Sequence, residues 1–456
     1  MARSVCIVSP GNLAANPRIL KEADALHEAG YAVTAVVSDY STGLRGFDAE
    51  IARHAPWKVV RAPRSSTERY VSAAARLAAR VTNELGQESS PAIAARAYGG
   101  PIGPLQQAAA SVRADLYIGH YIAGLHAAGV AARQHQARLG FDAEDFHPGE
   151  ERDGLRSEIV RVVEFTWLPR CPHFTAAAPL IGKAYAERYD LAQPTTVLNV
   201  FPLSMAPAQS VAPRQANAPL RAYWFSQTIG LDRGLQPFLQ GMAKAKVRVE
   251  LELRGDDRWG HGSTLLAMAK DLGIGDRVRL LPMAAPEEMV RLAAAYDLGL
   301  SLETDVSENR QLCLTNKIFT YLLAGVPVVM SDTPAQRQIA PDLGDAAALV
   351  PLADPQAIAL RSIGWRRGSM PPGRMPHTSV ASATIGTWRK RPCSPRSIEL
   401  SRRNHAVAEA APRCVAEAAA AGQSLGRHDC PGRVQRRHDP DAQSHPARSH
   451  RPASCA

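Results

Sequence analysis

Two short segments near the middle of the chain combine imidazole and carboxylate groups. His120 follows the apolar run Leu116–Ile118, and Asp142 and His147 belong to the run FDAEDFH at residues 141–147. If each run contains a buried strand, these side chains lie at strand ends, where α/β proteins bind ligands. Imidazole and carboxylate can bind hydroxyl groups or move protons. A single histidine is more often structural, but two at successive strand ends make His120, Asp142 and His147 candidate catalytic residues.

A second group of residues is suited to a diphosphate or another anion. Gly11 lies in a loop that follows the first apolar run, and it lets the backbone approach a ligand closely. Arg233 and Gly234 follow a later apolar run and precede a predicted helix. The free amides at a helix start, together with a guanidinium, form a site for phosphate groups. The alternatives are an ordinary tight turn at Gly11 and a solvated side chain at Arg233.

The segment LTNKIFTYLLAGVPVV, at residues 314–329, places a lysine where a helix should begin. Asn316 or Thr315 can cap this helix, so Lys317 belongs to its first turn. A cation there opposes the helix dipole, and a bound anion would remove the conflict. The alternative is a solvated lysine, which costs only about 0.3 kcal/mol. Asn316 and Lys317 are therefore candidate ligands for an anion.

The elements that must position these residues alternate between apolar runs and helical patterns. Two series of runs are separated by a stretch rich in Ala, Pro, Ser and Gln at residues 203–219. Fully apolar strands between helices predict parallel sheets that are covered on both faces. The expected fold is α/β, with two Rossmann-like domains, at 1–202 and 220–360, facing a cleft. The predicted strands are Val5–Val8, Tyr31–Val37, Leu116–Ile118, Thr195–Val200, Leu220–Phe225, Val247–Leu253, Val278–Leu281, Leu298–Leu302 and Val326–Met330.

The net charge of +10 is distributed unevenly. Residues 361–456 contain 17 Lys and Arg and 6 Asp and Glu, whereas residues 1–360 contain 36 and 37. The main part of the chain is therefore close to neutral, and no nucleic-acid partner is predicted. Residues 361–456 contain no Phe or Tyr and no periodicity, which favours out-of-frame translation over a natural disordered basic tail. Sequencing of the coding DNA around codon 360 would distinguish these two explanations.

Cysteine usage and hydropathy indicate the compartment. The cysteines are scattered, with no metal-binding spacing, so no metal site is predicted and a reducing environment is expected. No apolar run reaches the roughly 18 residues of a membrane span. We therefore expect a cytoplasmic protein, and the sequence predicts no amphipathic membrane anchor.

Residues 3–360 resemble the group 1, or family 4, GT-B glycosyltransferases. The segments that carry the resemblance are Asn16–Arg18 with Lys21–Ala23, Phe141–His147 with Gly149-Glu150, Leu168–Arg170, Val197–Asn199, the donor-domain segment NKIFTYLLAGVPVV at residues 316–329, and Ser331–Thr333. The resemblance implies a nucleotide-sugar donor, transfer with retention of anomeric configuration, and no metal or other cofactor. It places Arg233 and Lys317 at the donor diphosphate, Gly11 opposite the phosphates, and His120 near the reacting sugar.

The chain departs from the family at one donor-binding position. Many members have a Glu-x7-Glu pair, whereas this chain has Leu312 and Thr320 at the matching positions, with Glu303 and Glu308 out of register. Thr320 is thus the candidate for the second glutamate's contact with the donor.

The acceptor would be a polysaccharide, a lipid-linked glycan or another glycoconjugate. A lipid-linked acceptor would bring the protein into peripheral contact with the inner membrane face. The alternatives are a catalytically degenerate nucleotide-binding GT-B protein, a sugar-nucleotide epimerase, or an NAD-linked oxidoreductase. The last is weakened because Ser9–Arg18 lacks G-x-G-x-x-G.

Overall fold

The computed structural model describes residues 3–39, 41–63, 65–150, 154–207 and 218–363. They form two sheets in which every strand pair is parallel. The first sheet has the order β3-β2-β1-β4-β5-β6-β7 and the second the order β10-β9-β8-β11-β12-β13. The strands are β1 Ser4–Val8, β2 Ala32–Ser38, β3 Lys58–Ala62, β4 Leu116–His120, β5 Arg138–Ala143, β6 His173–Ala176, β7 Thr195–Thr196, β8 Leu220–Thr228, β9 Val249–Asp256, β10 Val278–Leu281, β11 Leu298–Ser301, β12 Val328–Ser331 and β13 Ala347–Val350.

Helices connect the strands in both sheets. In the first half they are α1 Pro17–Glu28, α2 Arg45–His54, α3 Glu68–Glu84, α4 Pro91–Tyr98, α5 Ile102–Ala110, α6 Tyr121–His135, α7 Gly154–Trp167 and α8 Pro179–Tyr189. In the second half they are α9 Leu235–Lys244, α10 His261–Asp271, α11 Met289–Ala293, α12 Glu308–Leu312, α13 Asn316–Leu323, α14 Pro334–Leu343 and α15 Pro355–Ile363. This architecture confirms the predicted α/β fold with two doubly wound parallel sheets.

The start of α1 shows how local sequence sets an element that faces the cleft. The Asn16 side chain accepts hydrogen bonds from the backbone N–H groups of Arg18 and Ile19, and Pro17 occupies the first helical position. Proline needs no hydrogen-bond partner there, because the first N–H groups of a helix have none within the helix. After the helix, Gly30 adopts a left-handed conformation with φ of 89°. The Asn16-Pro17 pair predicts the start of a helix and Gly30 predicts its end, and the structure agrees with both.

Most predicted strand ends shift by one to three residues in the structure. The largest difference is at the strand expected over Thr195–Val200, which ends at Thr196, because the carbonyls that follow bind side chains of α1 rather than a strand. Arg18 donates to the Val197 carbonyl over 2.5 Å, and Lys21 donates to the Val200 carbonyl over 2.7 Å. The small residues from about Gly124 to Ala137 predict a helix, and this helix begins three residues earlier, directly after β4.

Parts of the predicted organisation lie outside the described residues. Most of the proposed linker, at 208–217, and the proposed tail from 364 onward belong to this category. Helix α15 ends at Ile363 and packs against α9. Within the described ranges, no helix has the length and apolar character needed to cross a bilayer.

Candidate functional site

A cavity of about 1000 Å³ lies between the carboxyl ends of the two sheets. We call the residues that line it from the first sheet's half the first wall and those from the second half the second wall. The first wall contains Gly11 and the polar residues Asn12, Ser41, Glu144, Asp145, Glu150 and Asn199. The polar residues of the second wall are Ser226, Gln227, Thr228, Asp232, Arg233, Arg254, Asp256, Arg258, Ser307, Asn309, Arg310, Thr315, Asn316 and Lys317. The cleft that the strand pattern predicted is therefore present.

A buried carboxylate surrounded by cations is the main electrostatic feature of the second wall. The Glu303 side chain is inaccessible to solvent and follows β11. Its Oε2 atom lies 2.5 Å from Arg310 Nη1 and 3.8 Å from Arg233 Nη1. Its Oε1 atom lies 3.5 Å from Lys317 Nζ. Three cations around one buried carboxylate leave excess positive charge at the cavity, although Asp232 at the rim offsets part of it.

Helix α13 adds a second feature that favours an anion. No side chain caps its N-terminus, so its first amides are available to a ligand. Burial lowers the pKa of Lys317, and nearby Arg233 acts in the same direction against the opposing effect of Glu303. An anion in the cavity would favour the charged form of Lys317. The sequence predicted the helix-dipole conflict correctly, but Glu303 relieves part of it without any ligand.

Four of the six predicted donor-binding residues line the cavity, namely Gly11, Arg233, Asn316 and Lys317. The other two, Gly234 and Thr320, do not line it. Gly234 has φ of 65°, and a Cβ there would lie 2.9 Å from Leu302, so this glycine shapes the turn that presents Arg233. Thr320 is buried, and its hydroxyl donates to the Asn316 carbonyl over 2.9 Å. The expected contact between Thr320 and a donor is therefore not available in this structure.

The three predicted catalytic residues lie behind the first wall rather than on it. His120 is fully buried at the end of β4, and its Nε2 atom is 2.7 Å from Glu22 Oε2. Its Nδ1 atom is 3.5 Å from Glu144, a residue of the first wall. Burial opposes a charge on the ring, but Glu22, Glu144 and Asp142 outweigh it and raise the pKa of His120 to about 10. Because His120 is buried and does not line the cavity, it reaches a ligand there only through neighbours such as Glu144.

Asp142 forms the other half of this buried network. Its two oxygens accept hydrogen bonds from Arg18 Nε over 2.5 Å and from Arg18 Nη2 over 2.7 Å. Although burial acts in the opposite direction, the guanidinium lowers the pKa of Asp142 to about 2. His120, Asp142 and Glu144 also have ligand atoms within 4.8 Å of one another. Because Arg18 already binds both oxygens of Asp142, this group forms a salt-bridge network rather than an open metal site.

His147 belongs to a separate buried cluster. Its Nδ1 atom is 2.9 Å from the hydroxyl of Tyr185, which also donates to Glu164 Oε1 over 2.8 Å. The same hydroxyl bonds the Asp145 carbonyl and the His147 N–H, both over 3.3 Å. Burial raises the pKa of Glu164 to about 7. The Glu164–Tyr185 pair thus holds the segment that carries first-wall residues Glu144, Asp145 and Glu150.

Asn309 connects the two walls. Its Oδ1 atom accepts the Phe146 N–H over 2.8 Å, and its Nδ2 atom donates to Asp145 over 2.8 Å and to Glu150 over 3.3 Å. A Cβ at Gly149 would lie 3.1 Å from the Asn309 backbone nitrogen, so a glycine permits this close approach. Asn309 is followed by Arg310, which binds Glu303. The first wall and the cation cluster therefore meet through two consecutive residues of α12.

The sequence did not identify several residues of the site. Arg310 and Asn309 lie in a five-residue helix with no recognisable pattern. Glu22 and Arg18 were parts of a resembling segment without an assigned role. The sequence contained one indication that these two residues interact with charged neighbours. Arg18 and Glu22 carry opposite charges and lie one turn apart on a predicted helix.

With this geometry established, comparison with known proteins defines the fold class. No protein-family model and no curated protein sequence matches this chain. Among solved structures, it is similar to HepE from Anabaena in complex with UDP and glucose, with a TM-score of 0.61 and 16% identity over 91% of this chain and 98% of that chain. It is also similar to sucrose-phosphate synthase from Thermosynechococcus elongatus, with a TM-score of 0.54 and 13% identity over 91% and 94%. For the lipopolysaccharide outer core galactosyltransferase WaaB, the TM-score is 0.53 at 11% identity over 91% and 98%. The fold is that of the two-domain GT-B proteins.

Proposed function

We propose that this protein transfers a sugar from a nucleotide-sugar donor to a hydroxyl group of a glycan, lipid-linked or other glycoconjugate acceptor, as a family 4-like enzyme. The observation that carries the proposal is the cation cluster beside the uncapped start of α13, inside a cavity between two GT-B domains. HepE has been solved with UDP-glucose, which makes a UDP-sugar the first donor to test.

The chemistry follows from where charge develops. Transfer breaks the bond between the sugar's anomeric carbon and the diphosphate oxygen, forms a bond between that carbon and the acceptor oxygen, and passes the acceptor's proton to the departing diphosphate. Negative charge increases on the departing oxygens before they receive that proton. Arg233, Lys317 and the α13 amides are placed to stabilise that charge, and groups fixed in advance do so without reorganising. We further propose that the reaction needs no metal ion, because fixed cations supply the stabilisation, and that it proceeds with retention, as the resemblance to family 4 implies.

The first wall would bind the acceptor. Glu144, Asp145 and Glu150 offer oxygens to hydroxyl groups of a sugar. His120, Asp142 and His147 would act through these neighbours as positioning residues, because none of the three lines the cavity. Contact between the walls through Asn309 would exclude water, which competes with the acceptor hydroxyl.

Thermal unfolding with a panel of UDP, GDP, ADP, CMP and NAD tests the proposal. A nucleotide present at about 100 times its Kd should raise the free energy of unfolding by about 2.7 kcal/mol. Stabilisation by one nucleoside diphosphate supports the proposal and names the donor class. A response to NAD alone would contradict it in favour of an oxidoreductase.

A catalytically degenerate nucleotide-binding protein is the second candidate. It is favoured by Thr320, whose hydroxyl bonds its own helix and does not reach the cavity. The two candidates differ in release of the nucleotide. Stabilisation by a nucleotide, without any release of nucleotide from the matching nucleotide-sugar in the presence of glycan acceptors, would favour the degenerate protein.

A further inference from the structure

Helix α3 packs into the molecule through its smallest side chains. Its buried residues are Ser72, Ala75 and Ala79, which follow one another at intervals of three and four. This face lies mainly against α4. Side chains of this size bury little apolar surface, so the packed face uses only a small part of the apolar surface that the helix carries.

The large apolar side chains of α3 face solvent instead. Tyr70, Leu77 and Val81 are 62%, 64% and 45% exposed, and Leu85, directly after the helix, is 68% exposed. Their spacing of seven, four and four residues places them in one row along the helix. We call this row the apolar stripe. Four large exposed side chains in one row are unusual for a protein surface that contacts only water.

A row of arginines runs beside the apolar stripe. Arg69, Arg76 and Arg80 are exposed and repeat at the same helical intervals as the stripe. Among the described residues, Arg76 and Arg80 have no carboxylate within ion-pair distance. The acidic residues of α3, Glu68 and Glu84, lie at its two ends. One exposed surface of α3 therefore combines an apolar stripe with positive charge along one edge.

We propose that this surface of α3 docks on a membrane that contains anionic lipids. The apolar stripe would enter the boundary between headgroups and acyl chains, and the arginine row would contact lipid phosphates, as in helices that lie in the plane of a membrane. One other occupant is less suited to the charge. The chain from residue 364 onward is strongly basic, so the arginine row would repel it.

Sedimentation of the full chain with lipid vesicles tests this surface. We expect binding to vesicles of phosphatidylcholine with phosphatidylglycerol, and weaker binding to phosphatidylcholine alone. The double variant Leu77→Ser and Leu85→Ser should bind at least about tenfold more weakly, because two large side chains no longer enter the apolar layer. Both side chains face solvent, so thermal stability should be unchanged. Trp259→Ser, at a 66% exposed site between β9 and α10, is the matched control and should bind like the unmodified chain.

The basic segment after residue 364 is the same in every variant, so the comparison isolates α3. The variant Arg76→Glu and Arg80→Glu should show a weaker preference for anionic vesicles than the unmodified chain, because the basic segment after residue 364 is unchanged. Vesicle binding that is absent, or that the Leu77 and Leu85 substitutions leave unchanged, would overturn the proposal. Self-association of the chain in the absence of lipid, removed by the same two substitutions, would assign the surface to a second copy and also overturn it. Neither readout depends on nucleotide binding or sugar transfer.

Discussion

The two walls of the cavity face each other but have opposite chemical character. The second wall concentrates cations around Glu303, at the start of α13. The first wall presents the carboxylates Glu144, Asp145 and Glu150, and its cations, such as Arg18, are buried behind it. A diphosphate would be attracted to one wall and repelled by the other. In the reaction that we propose, this difference favours the second wall for the leaving group and the first wall for a neutral, hydroxyl-rich partner.

The two walls also differ in whether nearby or distant segments of the chain hold their side chains in position. The second wall forms from several separate loops and helix starts, and local sequence places Arg233 and Lys317 at two of them. The first wall depends on buried partners from distant segments, such as Glu22 for His120 and Glu164 for Tyr185. Substitutions in the second wall should therefore affect donor chemistry directly, whereas those behind the first wall should act through stability and position.

The largest effect is expected behind the first wall, at Glu164. Burial raises its pKa from 4.5 to about 7 in the folded state, so the folded chain binds a proton that the unfolded chain releases. Stability from this group is complete below pH 4.5 and is lost as pH rises through 7. The loss is about 3 kcal/mol at most, because each pKa unit corresponds to about 1.4 kcal/mol. Denaturant unfolding at pH 5 and pH 8 should show this loss in the unmodified chain and not in Glu164→Gln.

Glu158→Gln, on the same helix but at the surface, is the control and should keep the pH dependence of the unmodified chain. An identical pH dependence in Glu164→Gln would show that the buried cluster does not titrate in this range.

In the second wall, Lys317→Ala should lower turnover by about 10²-fold, the scale for loss of one fixed charge at a leaving group. Release of nucleotide from the donor measures it. Lys244→Ala, an exposed lysine of α9, should have no effect. Unchanged turnover in Lys317→Ala would remove this residue from the mechanism and would weaken the contrast between the walls.

At the junction of the walls, Asn309→Ala should lower turnover by about tenfold through misplacement of the first wall. It should also lower the free energy of unfolding by about 1–2 kcal/mol, because buried polar partners lose their hydrogen bonds. Gln311→Ala removes a neighbouring side chain that bonds only within its own half, to the Thr304 carbonyl, and serves as the control. Equal effects of both substitutions would argue against coupling through Asn309.

The smallest effect is expected at Thr320. Because its hydroxyl bonds the carbonyl of Asn316, Thr320→Ala should change stability by about 1 kcal/mol or less. Nucleotide affinity, measured by calorimetry, should change by less than about threefold. Thr320→Ser retains the hydroxyl and should leave both quantities near their original values. A tenfold loss of affinity in Thr320→Ala alone would instead show that this hydroxyl reaches the donor.

Local sequence predicted the two parallel sheets and, among the cations of the second wall, Arg233 and Lys317 but not Arg254 or Arg310. Uninterrupted apolar strands, the Asn16-Pro17 helix start and Lys317 in a first helical turn are features of a few adjacent residues. It did not predict that Glu303 would lie among Arg233, Arg310 and Lys317, because their positions in the chain are up to 84 residues apart. It also placed His120 and Asp142 at strand ends correctly but could not show that Glu22 and Arg18 would cover them.

Helix α3 shows the same difference between what local sequence determines and what the tertiary structure determines. The sequence by itself determined that residues 68–84 form a helix with a row of large apolar side chains, because a 3.6-residue period fixes which residues share a face. The sequence analysis nevertheless predicted no amphipathic membrane anchor and did not single out this row. The tertiary structure decided which face turns inward, because Ser72, Ala75 and Ala79 allow close packing against α4. The period of a helix is a local property, whereas its orientation depends on the surfaces that the rest of the chain presents to it.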